Sequence, residues 1–192
     1  MNFPAAEKYI LEHLQKELHP NLFYHSFEHT TDVQQAARRL IELEKVDAHS
    51  ATIIETAALY HDAGMIMKYD NHEIASVNIV KEKLPEFDYT PSEINEIESM
   101  ILVTTIPQKA LTLNQMILCD ADLDALGRED FFITSFQLQL EWKLYGILAA
   151  SLKDWLKFEI KFLESHSYYT SSARKLRDVG KRKNLLELKD LF

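Results

Sequence analysis

Of the eight histidines in this sequence, four lie close to acidic side chains at positions 25, 29, 61 and 72. His25 and His29 are four residues apart, so on a helix they share one face, one turn from each other. His61 and Asp62 follow an apolar run typical of a buried helix. Burying such a pair is costly unless something compensates it, and a cation is an economical partner. The alternative is that His61 and Asp62 cap their helix and contact water.

A second acidic segment, Asp120-Ala121-Asp122-Leu123-Asp124, also follows apolar residues. Residues two apart on a helix point about 200° away from each other, so only one of Asp120 and Asp122 can face a common centre. Leu118 and Ala125 lie on the face of Asp122, which is therefore apolar and inward. Asp120 shares a partly polar face with Asp124. This face meets solvent or lies beside the site. Together, His29, His61-Asp62 and Asp122 would form a mixed nitrogen and oxygen site that suits Fe, Mn, Co, Ni or Mg.

Helices must position these residues, because apolar side chains recur at three- and four-residue spacing along most of the chain. The sequence predicts an all-α fold, a single compact bundle of about eight or nine helices. The segment Thr90-Pro91-Ser92-Glu93 combines an N-cap, a proline at the first helical position and a capping-box glutamate. Ser50 is the expected N-cap of the third helix, and Gly64 is expected in a left-handed turn after it. The predicted helices cover about 4–19, 26–45, 50–62, 71–84, 91–103, 113–126, 129–147, 152–166 and 171–190.

Composition excludes several classes of protein. The chain has four glycines among 192 residues, and none are clustered, so neither a Rossmann fingerprint nor a P-loop is present. A net charge of −9 argues against nonspecific nucleic acid binding and against binding to an anionic membrane. A single cysteine, the absence of an apparent signal peptide and the lack of a long apolar run predict a cytoplasmic protein. Cys119 is interpreted as a core residue.

The order of His29, His61-Asp62 and Asp122 resembles the metal-ligand pattern of the HD superfamily of metal-dependent phosphohydrolases. The resemblance covers about residues 20 to 130 and extends to the residues around each ligand. Its segments are 24–33 (YHSFEHTTDV), 58–64 (ALYHDAG) and 117–127 (ILCDADLDALG). Segment 168–174 (YYTSSAR) resembles the tail of a small bacterial subfamily of predicted phosphohydrolases.

This resemblance implies one HD-type domain over residues 1–192 and a site that holds a divalent metal ion through His29, His61, Asp62 and Asp122. Asp120 is the alternative to Asp122 as the fourth metal ligand. Asp62 is also implied to orient the attacking water. His25 matches the histidine proposed to protonate the leaving oxygen in the related phosphodiesterases. In the alternative interpretation His25 makes a hydrogen bond near the helix start.

His72 occupies the place of one of two further histidines in the binuclear branch of this superfamily. The second is missing, since Thr104 and Thr105 lie near its expected position. His72 is therefore expected to contact a phosphate, to hold a weak second metal through water, or to begin a surface helix. The aromatic residues at helical spacing near the C-terminus are interpreted as core rather than as a base-stacking platform; they are Trp142, Tyr145, Trp155, Phe158 and Phe162.

The basic segment that includes Lys181 is typical of a solvated face. Because residues 161–192 carry a net charge of +4, one or two of its members are candidates for reaching phosphate, and Lys181 is named with His72 as a substrate contact.

The function expected from the sequence is hydrolysis of a phosphate ester of a nucleotide-like small molecule by metal-activated water. Two alternatives remain at this stage. One is a metal- and nucleotide-binding sensor module of the same fold without turnover. The other is a di-iron oxygenase, which the missing second histidine disfavours. The metal, the oligomeric state and the physiological substrate are not determined by the sequence.

Overall fold

The computed structural model describes residues 1–147 and 151–191, and every regular element within them is a helix. The all-α prediction is confirmed. The predicted domain also includes residues 148–150 and Phe192, which lie outside the described residues. The α-helices in the described ranges are α1 (Phe3–Glu17), α2 (Phe27–Glu44), α3 (Ala48–Tyr60), α4 (His72–Lys83), α5 (Pro91–Leu102), α6 (Leu113–Asp122), α7 (Phe131–Leu144), α8 (Leu152–Ser165) and α9 (Ser171–Asp190). Short 3-10 turns cover Ala63–Ile66, Leu84–Phe87 and Asp124–Gly127.

Helix α3 forms the centre of the bundle. It packs against α1, α2, α5 and α6, and its apolar side chains, including Ile53, Ile54 and Leu59, are completely buried. A helix that is apolar on all sides is expected in such a central position. The buried Tyr60 near its end donates a hydrogen bond from its hydroxyl to the carbonyl oxygen of Ala6 in α1 (2.9 Å). The end of α3 is therefore fixed within the core.

Several helix boundaries differ from the sequence prediction; α7, for example, covers Phe131–Leu144 rather than about 129–147. Helix α3 begins at Ala48 rather than near Ser50, because the Asp47 side chain accepts hydrogen bonds from the backbone N–H groups of His49 and Ser50. Helix α6 ends at Asp122, and the chain continues as a 3-10 turn instead of a helix to residue 126. The capping box at Thr90 and Glu93 is present as predicted.

Gly64 does not adopt the left-handed conformation expected for it. It lies in the 3-10 turn Ala63–Ile66, which packs closely against α4. A Cβ atom at this position would lie 2.0 Å from the carbonyl oxygen of His72, and the Gly64 N–H donates to the Ser76 hydroxyl (2.8 Å). Glycine is required here because the first turn of α4 approaches the chain that follows α3.

The C-terminal segment holds the end of α6. The two carboxylate oxygens of Asp120 accept hydrogen bonds from the backbone N–H groups of Tyr169 and Thr170 (both 2.7 Å). The next turn is attached to α9, where Arg177 makes a bidentate ion pair with Asp124 (2.6 and 2.8 Å). These contacts fix the position from which Asp122 projects. Across the described residues, no helix is both long and apolar enough to span a bilayer.

Candidate functional site

Three helices bring the predicted ligands together. His29 lies in the first turn of α2, where its N–H donates to the N-cap Ser26 (3.3 Å), and Asp122 is the last residue of α6. His61 and Asp62 follow the end of α3 directly. We call His29, His61, Asp62 and Asp122 the His/Asp cluster. Its members come from three separate segments of the chain.

The polar atoms of the cluster face one another at short range. Oδ2 of Asp62 lies 3.1 Å from Nε2 of His61 and 3.4 Å from Nε2 of His29. Oδ1 of Asp122 lies 3.6 Å from Nε2 of His61 and 3.5 Å from Nε2 of His29. Two imidazole nitrogens and two carboxylate oxygens thus surround a common centre.

The two histidine nitrogens of the cluster are placed to bind a positively charged partner. Nε2 of His29 and Nε2 of His61 are buried and have no hydrogen-bond partner among the described residues. Nδ1 of His61 lies 2.8 Å from the Ala58 carbonyl oxygen, which can only accept, so Nδ1 carries the proton and Nε2 offers a lone pair to the cluster. A lone pair directed at carboxylates is unfavourable unless a proton or a metal cation lies between them. The donor set therefore fits a divalent metal ion.

The pKa values in the cluster also indicate that a positive charge is favoured there. Burial alone would lower the pKa of His61, but the carboxylates of Asp62 and Asp122 outweigh it and raise that pKa well above its ordinary value. Burial would raise the pKa of Asp122, but His29 and His61 lower it to about 2. The pKa of Asp62 is likewise held well below its usual range by the histidines around it, against the effect of burial. Both carboxylates are thus ready to hold a cation at neutral pH.

Asp120 points away from the cluster. Its side chain is buried, but its oxygens accept hydrogen bonds from Tyr169 and Thr170, so it is neither solvated nor directed at the centre. Asp122 faces the two histidines, and its second oxygen accepts from the side-chain amide of Gln108 (3.0 Å). Of the two aspartates, Asp122 therefore faces the cluster and Asp120 does not, as helix geometry indicates.

His72 lies at the edge of the cluster, at the start of α4. Its Nε2 is 3.2 Å from Oδ1 of Asp62, and its Nδ1 is 3.1 Å from the carbonyl oxygen of Tyr69. One ligand atom from each of His25, Asp62 and His72 lies within 4.8 Å of the others, a second group that could hold a cation. Asp62 therefore links two groups of potential ligands. Among the three interpretations of His72, a surface helix start does not match this position.

Glu141 is a site residue that sequence reasoning missed. It is completely buried in α7, and its Oε1 contacts Nδ1 of His25 and accepts from the Tyr69 hydroxyl (2.7 Å). Its Oε2 accepts from the backbone N–H groups of Tyr24 and His25 (2.9 and 3.1 Å). With Nδ1 of His25 occupied, Nε2 is the ring nitrogen left for a substrate. The available signal was a glutamate within an apolar helix.

A cavity of about 530 Å³ adjoins the cluster. His25, Asp62, His72 and Asp122 line one part of it, with Thr104 and Thr105, while the rest is mainly apolar. Trp142, Phe158 and Phe162 also line it, whereas Trp155 is buried in the core. The interpretation of these aromatic residues as core therefore applies to Trp155, while Trp142, Phe158 and Phe162 form part of the cavity wall. Tyr145 instead stacks on Tyr69, with 4.5 Å between the ring centres.

Lys181 is not brought to the cluster. Its ammonium group donates to the backbone carbonyl of His166 and lies 5.5 Å from the centre of the Tyr168 ring. It is absent from the described walls of the cavity. The structure thus gives Lys181 a structural contact with α8 and the following segment, and its assignment as a substrate contact stays a prediction.

The fold is shared with solved proteins of low sequence identity. Bacillus subtilis YpgQ in complex with ADP matches with a TM-score of 0.69 and 19% identity, over 100% of this chain and 95% of that one. YpgQ in a second structure matches with a TM-score of 0.70 and 20% identity, over 100% and 96% of the two chains. A predicted HD superfamily hydrolase from an uncultured Thermotogales bacterium matches with a TM-score of 0.66 and 18% identity, over 98% and 90%.

A curated relative is an uncharacterized protein of Clostridium beijerinckii, 40% identical over 81 residues, which are 41% of this chain and 51% of the relative. The chain thus spans about half the length of this relative. The family model of the HD domain matches residues 26–125, the part of the chain that supplies every member of the His/Asp cluster. More than half of the sequence carries this match, and the all-helical structure agrees with it. The chain therefore belongs to the HD domain family.

Proposed function

We propose that this protein hydrolyses a phosphate ester of a nucleotide-like small molecule with the help of a divalent metal ion. The observation that carries the proposal is the His/Asp cluster, whose two buried Nε2 atoms have no hydrogen-bond partner among the described residues. A large cavity begins at this cluster and has His25 on its wall. YpgQ, which has the same fold, was solved in complex with ADP, and this supports a nucleotide as substrate.

His29, His61, Asp62 and Asp122 would hold the metal ion. When bound, a divalent ion at this place lowers the pKa of water and neutralises charge on a phosphoryl oxygen. This chemistry replaces the glycine-rich phosphate cradle that the sequence lacks. Asp62 has a second oxygen directed at His72, so its carboxylate is placed to orient water as well as to serve as a ligand.

His25 is the proposed general acid. Burial opposes ionisation of Glu141, but its contacts with His25 and Tyr69 lower the pKa of its carboxyl below the ordinary value. The ionised Glu141 favours a proton on Nδ1 of His25 and fixes the direction of the ring. A proton on Nε2, which lies on the cavity side of the ring, can then be transferred to the leaving oxygen.

Release of inorganic phosphate or a nucleotide product from a substrate panel tests the function. The panel contains phosphomonoesters, cyclic nucleotides and nucleoside di- and triphosphates, each with Mn, Co, Ni or Mg. We expect turnover with at least one nucleotide, dependent on metal and lost on chelation. Tight binding of nucleotide without turnover under every condition would contradict the proposal and indicate a sensor module.

Asp122 and Asp120 are expected to have separable roles. We expect Asp122→Asn to weaken metal binding by at least about 10²-fold, because even the outer partners of metal ligands contribute 10- to 100-fold. Asp120→Asn places an amide against two buried N–H groups and is expected to cost about 2 kcal/mol, which lowers the melting temperature by about 4–8 °C. Calorimetric metal titration and thermal melting measure both effects. Loss of metal in Asp120→Asn without a change in melting temperature would reverse the assignment.

Glu141→Gln tests the positioning of His25. We expect kcat to fall about 10- to 100-fold with little change in KM or metal content, because the amide no longer holds the His25 ring in a fixed direction. The loss should be larger for an alkyl phosphate than for a nitrophenyl phosphate, whose leaving group needs no acid. The matched control is Glu129→Gln, since Glu129 is exposed just before α7. Equal losses with both esters would mean that Glu141 only supports the fold.

A further inference from the structure

One part of the cavity is lined by apolar side chains, in contrast to the polar His/Asp cluster. They come from α7, α8 and the turn before α7. We call this part the aromatic chamber, and its residues are Leu126, Phe131, Leu138, Trp142, Phe158 and Phe162. The cavity volume of about 530 Å³ exceeds what a phosphate group alone requires. The chamber is therefore available to the organic part of a substrate whose phosphate lies at the cluster.

One acidic side chain interrupts the apolar wall. Glu159 of α8 lines the cavity although it is only 4% exposed. The Ser135 hydroxyl donates to its Oε1 (2.9 Å) and accepts from the indole N–H of Trp155 (3.0 Å). Among the described residues no cation pairs with Glu159, and no hydrogen bond is made to its Oε2. The chain Trp155–Ser135–Glu159 thus holds a carboxyl in place and leaves one oxygen for a ligand.

A buried carboxyl without an ionic partner is costly to maintain. Burial raises the pKa of Glu159 to about 7, and the bond from Ser135 opposes that shift without cancelling it. The proposed metal site and general acid do not use this residue. Unpaired buried carboxyls of this kind are characteristic of functional sites rather than of packing.

The chemistry of the chamber restricts its occupant. A phosphate is repelled by Glu159 and is attracted to the metal end of the cavity. An alkyl or prenyl chain would fill the apolar space but leave the carboxyl unpaired. A flat heteroaromatic ring with an exocyclic amino group on its edge satisfies both features, because its faces contact the aromatic side chains and the amino group reaches Oε2.

We propose that the aromatic chamber binds the base of the nucleotide and that Glu159 selects bases with an exocyclic amino group over their carbonyl analogues. This inference rests on the proposed function for the presence of a nucleotide, and it adds the base preference. Adenine and cytosine are selected over hypoxanthine and uracil. The selection arises because a carbonyl oxygen placed against the Glu159 carboxylate is repelled, whereas an amino group donates to it.

Nucleosides test the chamber without involving hydrolysis, since they contain no phosphate ester. Adenosine is compared with inosine and cytidine with uridine in titrations followed by protein NMR shifts at pH 8. In wild type we expect the amino member of each pair to bind about 10- to 100-fold more tightly. In Glu159→Leu the difference should fall below about threefold, while Glu159→Gln, which keeps the shape but loses the charge, should give an intermediate or inverted preference. Glu164→Leu is the matched control, because Glu164 lies on the same helix, exposed, beside Lys189.

Folding of these variants is verified by thermal melting. We expect Glu159→Leu to melt no lower than wild type, because an apolar side chain replaces a buried carboxyl. Equal binding of both members of each pair by wild type, or a preference retained in Glu159→Leu, overturns the proposal. The same pairs as nucleotides separate the two claims: metal-dependent phosphate release with no base preference overturns the chamber alone. A base preference without release from any nucleotide supports the chamber and contradicts the hydrolase.

Discussion

His61→Ala and Asp62→Ala are each expected to abolish stable uptake of a divalent metal ion while helical content stays largely unchanged. Each removes a polar atom that faces the centre of the His/Asp cluster, within 3.6 Å of its opposite partners. Since outer partners of ligands already contribute 10- to 100-fold, loss of a ligand should weaken binding by at least about 10²-fold. Elemental analysis of purified protein and calorimetric titration with Mn or Co measure this loss.

The fold is expected to survive because Asp62 lines the cavity and the polar end of His61 faces the cluster, so neither change removes apolar packing from the core. His61 does lose its bond to Ala58, so circular dichroism accompanies the metal analysis. His49→Ala is the matched control, as the His49 side chain is 60% exposed and lies away from the cluster on α3. Equal metal content in wild type and both variants would contradict the metal site.

His25→Ala is expected to keep its metal and lose about 10²–10⁴-fold in rate, the usual contribution of a general acid. The metal stays because the four cluster residues are untouched. The rate falls because no proton reaches the leaving oxygen, so the loss should be greatest for poor leaving groups. Steady-state kinetics with an alkyl phosphate and a nitrophenyl phosphate measure the difference.

The two esters supply the internal control for His25. If both slow by the same factor, His25 is not the acid and its contact with Glu141 has another purpose. Loss of metal from His25→Ala would instead place His25 among the ligands, with His72 and Asp62, at the second group described above.

The parts of the structure that depend on local sequence were predictable. Apolar periodicity predicts the all-α class, and the ordered motifs around His29, His61 and Asp122 predict the family; both are confirmed. Side-chain direction on a helix also indicates that Asp122 rather than Asp120 faces the cluster. Periodicity and side-chain direction depend on spacing within one helix, and the family motifs depend on the order of short segments along the chain.

Features set by contacts between distant segments were not predictable. Glu141 bonds to His25 across 116 residues, and its place in an apolar helix does not identify that partner. Gly64 is a second example, because glycine is required there by the close approach of α4 and not by a turn. The aromatic residues of α7 and α8 show helical spacing whether they line a cavity or fill a core, so periodicity could not separate Trp142 from Trp155.

The attachment of Asp120 to the C-terminal segment determines the order in which the site can assemble. His29, His61 and Asp62 are supplied by α2 and the end of α3, which are near in sequence and pack directly. Asp120, two residues from Asp122, acquires its partners only when the chain 49 and 50 residues later has docked. Because contacts between neighbouring segments form before those that close long loops, the fourth ligand is fixed late in folding. Metal binding in a refolding chain therefore marks completion of the native structure and not the formation of its helices.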